Sequence, residues 1–403
     1  MKIAIVGAGA AGLMCACMLS TEHNIHVFEK NASAGKKLLV TGNGRCNLTN
    51  LVNPYAFLEN VPQNSKFLLG SLREFSPKDA VKFFEQLGVP THVEDDNRVF
   101  PSAGKALSVK TAMESFAKAR GVNFMFESPV TCIDRASKGF IVSVNGKQEL
   151  FDAVVIATGG MSFPTTGSTG DGLVIASKFG HSIVPIRPSL CGLQLEKPAN
   201  LQGASVRCEV QVLNTEFVPV TQKQIGNMLF TKTGVSGPVI YETVSKFKQQ
   251  SIRGHFLQIN FTPSFGMKEF EETFQKLLAE NPKKKLVHVV RAFMPLSVAD
   301  WVIKSAGQCG AKMCGQTTKH ERNVLPSFIR SARVPIKDFE DIQFATITRG
   351  GVDVHEVNPQ TMESKLIPNL FFIGEVLDID ALSGGFNLQI AFSTAVVCAR
   401  GLL

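Results

Sequence analysis

The sequence has a single tryptophan, Trp301, and two tyrosines, Tyr55 and Tyr241, beside thirty phenylalanines. That shortage argues against aromatic cages and tyrosine-rich binding surfaces. Nine cysteines contain no C-x-x-C and eight histidines no H-x-x-x-H, so zinc and a disulfide framework lose support and no metal is expected. Internal repeats and low-complexity tracts are also missing. Charged residues make up only 19% of the chain against 44% hydrophobic, a composition too apolar for a disordered protein. Lysine and arginine exceed the acids by eight; spread over 403 residues, that permits an acidic partner without demanding one. The length predicts two or three domains.

One apolar stretch imitates a targeting segment. Ile3 to Ser20 carries no charge and resembles a signal peptide or a short span. Gly7, Gly9 and Gly12 would weaken an inserted helix, whereas they suit a strand, a turn and a helix. With reduced thiols and no evident export signal, the expectation is a cytoplasmic protein without a membrane segment.

Residues 2–6 read as a buried parallel strand, 11–20 as a small-residue helix and 25–29 as a second strand, together a βαβ unit. Short strands follow at 122–126, 130–134, 140–144 and 153–157, then a helix over 171–180. Near Pro185 the texture changes: Val206, Cys208, Val210 and Val212 alternate with Arg207, Glu209 and Gln211, the mark of half-buried antiparallel strands. Helical spacing governs 270–278, 296–306 and 318–332. After Val352 the first style returns, with a strand at 370–373 and a helix over 387–400. The expected domains are a Rossmann-type domain at 1–184 and 350–403, an inserted β-domain at 185–266 and 334–349, and a helical subdomain at 267–333.

Gly7-Ala8-Gly9-Ala10-Ala11-Gly12 fits G-x-G-x-x-G in the required context, after a strand and opening a helix. The first glycine makes the tight turn, the second admits a pyrophosphate to the backbone and the third allows close helix-strand contact; the helix N-terminus attracts the anion. Glu29, at the end of the second strand, is placed to accept hydrogen bonds from an adenosine ribose. A glycine-rich turn with a solvent-facing Glu29 is the plain alternative. This half-site does not distinguish NAD from FAD.

The remaining motifs are Gly35 to Asn50 with its Gly44-Arg45-Cys46-Asn47-Leu48-Thr49-Asn50 core, the strand ending Ala157-Thr158-Gly159-Gly160, and Gly374-Glu375-Val376-Leu377-Asp378 with Gly384-Gly385-Phe386-Asn387-Leu388-Gln389. Along the whole chain they resemble the BaiN/YhiN family of flavoproteins, often labelled NAD(P)/FAD-dependent or aminoacetone-oxidase-like oxidoreductases. The resemblance implies an α/β fold: a glutathione-reductase-like Rossmann FAD-binding domain with an inserted β-barrel-like domain and a small helical subdomain. It makes Gly7, Gly9, Ala10, Ala11, Gly12, Glu29, Lys30, Lys37, Gly44, Arg45, Val130, Thr158, Gly159, Gly374, Glu375, Gly385, Phe386, Asn387 and Leu388 the candidate FAD contacts, Val130 through its backbone to the adenine.

The residues themselves favour FAD, because an extended cofactor explains a C-terminal segment that returns to the nucleotide fold with its own glycines. The helix beginning at Asn387 would turn its positive end to the flavin. Arg45 reads either as a pyrophosphate or flavin contact or as a surface arginine in a turn, and Cys46 as a packed small residue more readily than a flavin-facing thiol. Gly167 to Gly172 is similar to a segment of fumarate-reductase-type flavoproteins and reads either as an anion site or as a helix capped by Asp171. Thr231 to Pro238 reads as a flap over a cleft or as a turn without a ligand.

The expected activity is hydride transfer between flavin N5 and a small organic substrate: reduction of a conjugated C=C bond by one branch of the resemblance, oxidation of a small amine by the other. Asp378 and Asp380 are the only carboxylates offered as catalytic acid or base. NADH or NADPH, where one is used as donor, is expected to share one cleft with substrate, since residues 180–350 hold no second glycine fingerprint. Lys283-Lys284-Lys285 reads more cheaply as a solvated helix end than as a nucleic-acid contact, so a nucleic-acid partner is disfavoured and a flavin-containing RNA-modifying protein is the rival. The sequence is silent on oligomeric state.

Overall fold

The computed structural model describes residues 1–402, and its contacts divide the chain into two units. The first comprises Met1–Ser189 and the segment from Ile342 onward, the second Leu190–Asp341.

Five strands build the central sheet of the first unit: β1 (Lys2–Val6), β2 (Asn24–Phe28), β3 (Asn123–Met125), β4 (Ala153–Ile156) and β5 (Leu370–Phe372). Their order is β5-β4-β1-β2-β3, every pair parallel. Beyond Lys2, β1 and β4 contain only buried apolar residues, as expected of strands covered on both faces. Helix α1 (Ala10–Met18) follows β1 and has no polar side chain; a helix apolar on every side must be buried. It packs against α2 (Phe386–Gly401), which is itself buried from Gln389 to Ala399. The uncharged stretch from Ile3 is therefore mostly β1 and α1, and among the described residues no helix is long and apolar enough to cross a membrane. An antiparallel meander of Val130–Arg135, Phe140–Val144 and Lys147–Phe151 leads from β3 to β4.

Between α1 and β3 lies structure that periodicity did not reveal: helices Pro77–Gln86 and Ala106–Ala119 and a small sheet of Thr49–Asn50, Arg98–Pro101 and Thr91–Val93. Ser76 and Asp79 form a capping box at the first of these helices, a legible start signal.

In the second unit, Leu193–Leu195, Gly234–Ser236, Gln224–Phe230, Ser205–Leu213, Phe256–Asn260 and Ala332–Phe339 close into a barrel. Val206, Cys208, Val210 and Val212 are buried, with Arg207 and Glu209 on the other face. Helices Met267–Glu280, Leu286–Val290, Leu296–Ser305 and Lys319–Ser331 are inserted between the last two barrel strands. Thr231 to Pro238 is a barrel hairpin, its turn closed by the Thr231 N–H to the Gly234 carbonyl at 2.9 Å.

The domain borders differ from those expected at 184/185 and 349/350. Ile183–Ser189 and Ile347–Val352 pair as an antiparallel ribbon, and this ladder keeps both segments with the first unit, so the second begins at Leu190 and ends at Asp341. The ribbon is clamped to the loop after β5 by a buried ion pair. Arg349 Nε and Nη2 donate to Asp380 Oδ1 and Oδ2, each at 2.7 Å, and Ser189 Oγ donates to Oδ2 at 2.7 Å. Asp380 is 0% exposed and Arg349 5%. Removing one partner strands the other charge, so Asp380→Ala should destabilise the fold by about 3–5 kcal/mol in urea unfolding. A loss below about 1 kcal/mol, the scale of a surface pair, would show that the clamp carries no such role.

Candidate functional site: a two-ended dinucleotide cradle

At the first end the glycines are separated by what surrounds them. Gly7 has φ +101°, and a Cβ there would lie 2.6 Å from the Ala157 carbonyl oxygen; one on Gly12 would lie 1.9 Å from that of Gly7. Both positions are closed to side chains by backbone. Gly9 is different: a Cβ there would meet nothing within 4 Å. It is the N-cap of α1 and supplies no side-chain cap, so the first-turn N–H groups face the open space its missing side chain leaves.

Glu29 is 8% exposed, which removes the solvent-facing alternative. Its Oε2 accepts the Ala8 N–H at 2.9 Å, and its Oε1 accepts the Asn31 N–H and Nδ2 at 2.8 and 2.7 Å. The chain leading to Val130 lies beside it, Ser128 N–H donating to the Glu29 carbonyl at 2.9 Å. Thr158 and Gly159 follow β4, and a Cβ on Gly172 would stand 2.1 Å from Thr158 Oγ1. Lys30 Nζ donates to Thr169 Oγ1 and, at 2.7 Å, to Asp171 Oδ2. The N-cap of helix Asp171–Lys178 is Gly170, so Asp171 is the ion-pair partner of Lys30 and not a cap.

At the second end a polar knot joins four segments. Lys37 Nζ donates to Glu375 Oε2 at 2.8 Å and to Ser162 Oγ at 2.7 Å. Glu375 Oε1 accepts the Thr348 N–H at 2.9 Å and Ser162 Oγ at 3.0 Å. Ser162 and Thr348 had no local signal in the sequence; only the fold brings them to Lys37 and Glu375. Gly374 has φ +72° and a Cβ on it would stand 2.8 Å from Ala11 Cβ, so this segment reaches α1 only as glycine.

Helix α2 starts at Phe386, one residue before the expected Asn387, with Gly385 at φ +97° as its uncapped N-cap. Leu388, in its first turn, is half-buried. Asn387 fixes the preceding loop: its Oδ1 accepts the Ala381 N–H at 2.9 Å and its Nδ2 donates to the Ala381 carbonyl at 2.8 Å. A Cβ on Gly385 would lie 2.5 Å from the Thr49 carbonyl and 2.8 Å from Asn47 Oδ1, and Asn50 Nδ2 donates to the Gly384 carbonyl at 3.1 Å. Asn47 Oδ1, Thr49 Oγ1 and Asn50 Oδ1 are buried without a partner. Orphaned polar atoms cost free energy unless a ligand or water satisfies them, and here three cluster at the positive end of a long helix.

Gly42, Asn43 and Gly44 all have positive φ. The Arg45 guanidinium beyond them is held by Glu94 at 2.8 Å and lies 4.1 Å from the centre of the Phe100 ring. Cys46 is fully buried, and burial pushes its thiol up to about 12, the behaviour of a packed residue. Asp378 accepts Gln63 Nε2 at 2.6 Å and Asn64 Nδ2 at 2.9 Å. Burial, reinforced by the charge of Asp380, raises its carboxyl above the usual range despite the Asn64 hydrogen bond. Both Asp380 oxygens are occupied by Arg349.

These residues fit FAD. The open position at Gly9 suits a pyrophosphate, the buried Glu29 carboxylate a ribose, and the orphaned amide and hydroxyl oxygens near α2 a hydrogen-bonding ring.

The family model described as the HI0933-like protein Rossmann domain matches residues 1–401. The chain is 31% identical over 403 residues to the ribosomal RNA dihydrouridine synthase of Escherichia coli (strain K12), spanning 99% of this chain and 97% of that protein. It is 25% identical over 404 residues to the 3-dehydro-bile acid delta(4,6)-reductase of Clostridium scindens, spanning 99% and 98%. Among solved structures, the 3-ketosteroid-delta4-(5alpha)-dehydrogenase of Rhodococcus jostii RHA1 is similar at 13% identity and a TM-score of 0.49, over 99% of this chain and 97% of that one.

The contrast between the glycines has a measurable consequence. Gly9→Val should cost the fold no more than about 1 kcal/mol, the scale of losing a favourable N-cap residue where no packing is disturbed, yet abolish tight FAD binding by filling the approach to the backbone. Titration of the apoprotein with FAD checks this, and wild-type affinity in the folded variant would contradict it.

Proposed function

The chain belongs to the HI0933-like family and is a flavin-dependent oxidoreductase with a Rossmann FAD-binding fold, and from that premise we propose that it reduces a conjugated C=C bond, the ring double bond of a uridine in ribosomal RNA. The observation that carries this reading is likeness along essentially the whole chain to a relative named for that reaction. The two-ended cradle and a buried carboxyl with a raised pKa support it. The weighting against nucleic acid that the sequence alone suggested is reversed here. Oxidation of a small amine has no counterpart in the names of the two relatives.

In this proposal the α1 N-terminus at Gly9 binds the pyrophosphate, Glu29 accepts the ribose hydroxyls and the segment at Gly374 and Glu375 is held by Lys37. The positive end of α2 would stabilise negative charge on a flavin ring held there. FAD, when bound, supplies hydride exchange at N5. Reduction of the double bond also needs a proton for the second carbon, and Asp378 is the donor of choice: its raised pKa keeps the acid form to higher pH, and the Gln63 and Asn64 amides orient it. NADH or NADPH is the proposed donor, taking turns with the RNA at one site in ping-pong fashion.

Mass spectrometry of unmodified ribosomal RNA treated with holoenzyme and NADPH should find dihydrouridine. Reduction of an unsaturated bile acid with RNA left untouched would favour the second relative's chemistry instead. Asp378→Asn should lower kcat about 10²-fold or more, the scale of general acid catalysis, with FAD affinity unchanged. In the wild type, kcat should fall as pH rises through the raised Asp378 pKa, because the donor must be protonated; the variant should lose that limb. A pH limb that persists in Asp378→Asn would remove this residue from the proton transfer.

A further inference from the structure

The second unit has a cavity of about 460 Å³ between the outside of the barrel and the helical insert, a size typical of ligand sites. Its wall combines two unspent amides. Gln211 and Asn260 are each only 9% exposed. Gln211 Nε2 donates to Gln258 Oε1, leaving its own Oε1 without a partner among the described residues. Asn260 Oδ1 accepts the Thr262 N–H at 3.0 Å, leaving its Nδ2 likewise. One acceptor and one donor in a recess are what recognition of a base edge requires.

The rest of the lining adds a flat wall and positive charge. Phe265 lines the cavity and makes T-shaped contacts with Phe270 and Phe293, ring centres 5.9 and 5.8 Å away. Lys223, paired with Glu209 at 2.9 Å, and Arg330 both line the cavity. Arg330 Nη1 donates to the Phe265 carbonyl at 2.8 Å, while its Nε is buried without a partner. Residues 267–331 hold eleven lysines and arginines against six acids, so five of the chain's eight excess positive charges lie in the insert that closes this cavity. Lys283, Lys284 and Lys285 are exposed where helix Met267–Glu280 ends, roughly 20 Å along that helix from the cavity rim at 1.5 Å per residue. A polyanion whose bases can leave the stack satisfies both features: the lysines track its backbone and the cavity takes a base.

We propose that this cavity binds one unstacked nucleotide of an RNA strand, making the second unit the RNA-anchoring module of the enzyme. The assignment rests on the RNA reading of the first unit. Stacking follows Phe265, Gln211 and Asn260 read the base edge, and Lys223 and Arg330 face the phosphate.

The test uses holoenzyme and a ribosomal RNA fragment carrying photoreactive 4-thiouridine. Met267→Trp, at a rim position 55% exposed, should block the mouth without touching the core, and Gln211→Leu should remove the base contact at similar volume. Each should weaken RNA binding about tenfold or more, the scale of losing one stacked base, with FAD content unchanged. Cross-links in wild type should map to residues 209–211 or 263–267. Wild-type RNA affinity in both variants, or cross-links confined to other segments, would overturn the cavity assignment while leaving RNA reduction intact. A holoenzyme that binds no RNA would overturn both.

Discussion

Everything in the first unit depends on backbone meeting backbone where a side chain would stand. Gly12 lies against the Gly7 carbonyl and Gly7 against that of Ala157, and Gly374 admits the Ala11 methyl by the same missing side chain. These contacts draw β1, α1, β4 and the segment after β5 into one corner. The corner in turn aims the free N–H groups of α1 at the open position beside Gly9 and brings the start of α2 within reach of the loop containing Asn47, Thr49 and Asn50. A cofactor long enough to touch both places finds a dipole end at each. The glycines are therefore of two kinds, those that let the protein close on itself and one that keeps it open.

Charge is distributed along the same division of labour. In the first unit the conspicuous cations are spent on partners: Lys37 on Glu375, Lys30 on Asp171, Arg45 on Glu94 and Arg349 on Asp380. These pairs join segments far apart in sequence, and the buried ones specify one arrangement because a mismatched partner would leave a charge without solvent. The helical insert retains its excess, which suits it to a phosphate backbone. A net charge that looks thin when averaged over the chain is concentrated once it is counted by segment.

The parts of the fold set by local rules were legible. Period-two and period-3.6 patterns marked the βαβ unit, the barrel strand Ser205–Leu213 and three of the four helices of the insert, and the spacing of Gly7, Gly9, Gly12 and Glu29 marked half of the candidate site. Partnerships across the chain were not. Nothing beside Lys37 announces Glu375, Ser162 or Thr348, and the ribbon of Ile183–Ser189 with Ile347–Val352 shifts the domain borders because register is written in two distant segments at once. The capping box at Ser76 is a start signal that apolar periodicity does not register, and the strand Thr49–Asn50 is two residues long, too short for any periodicity. Asn387 was marked by its motif, yet its work as the brace of residues 381–382 emerged only from the hydrogen bonds.

The proposed path of electrons runs from a flavin in the cradle to a double bond in RNA. Its most direct measurement is an anaerobic single turnover in which chemically reduced holoenzyme is mixed with unmodified ribosomal RNA and the visible absorption of the oxidised flavin is followed. The absorption should return in step with dihydrouridine, one flavin reoxidised per uridine reduced. A flavin that stays reduced in the presence of RNA, while an enone small molecule reoxidises it, would contradict the claim.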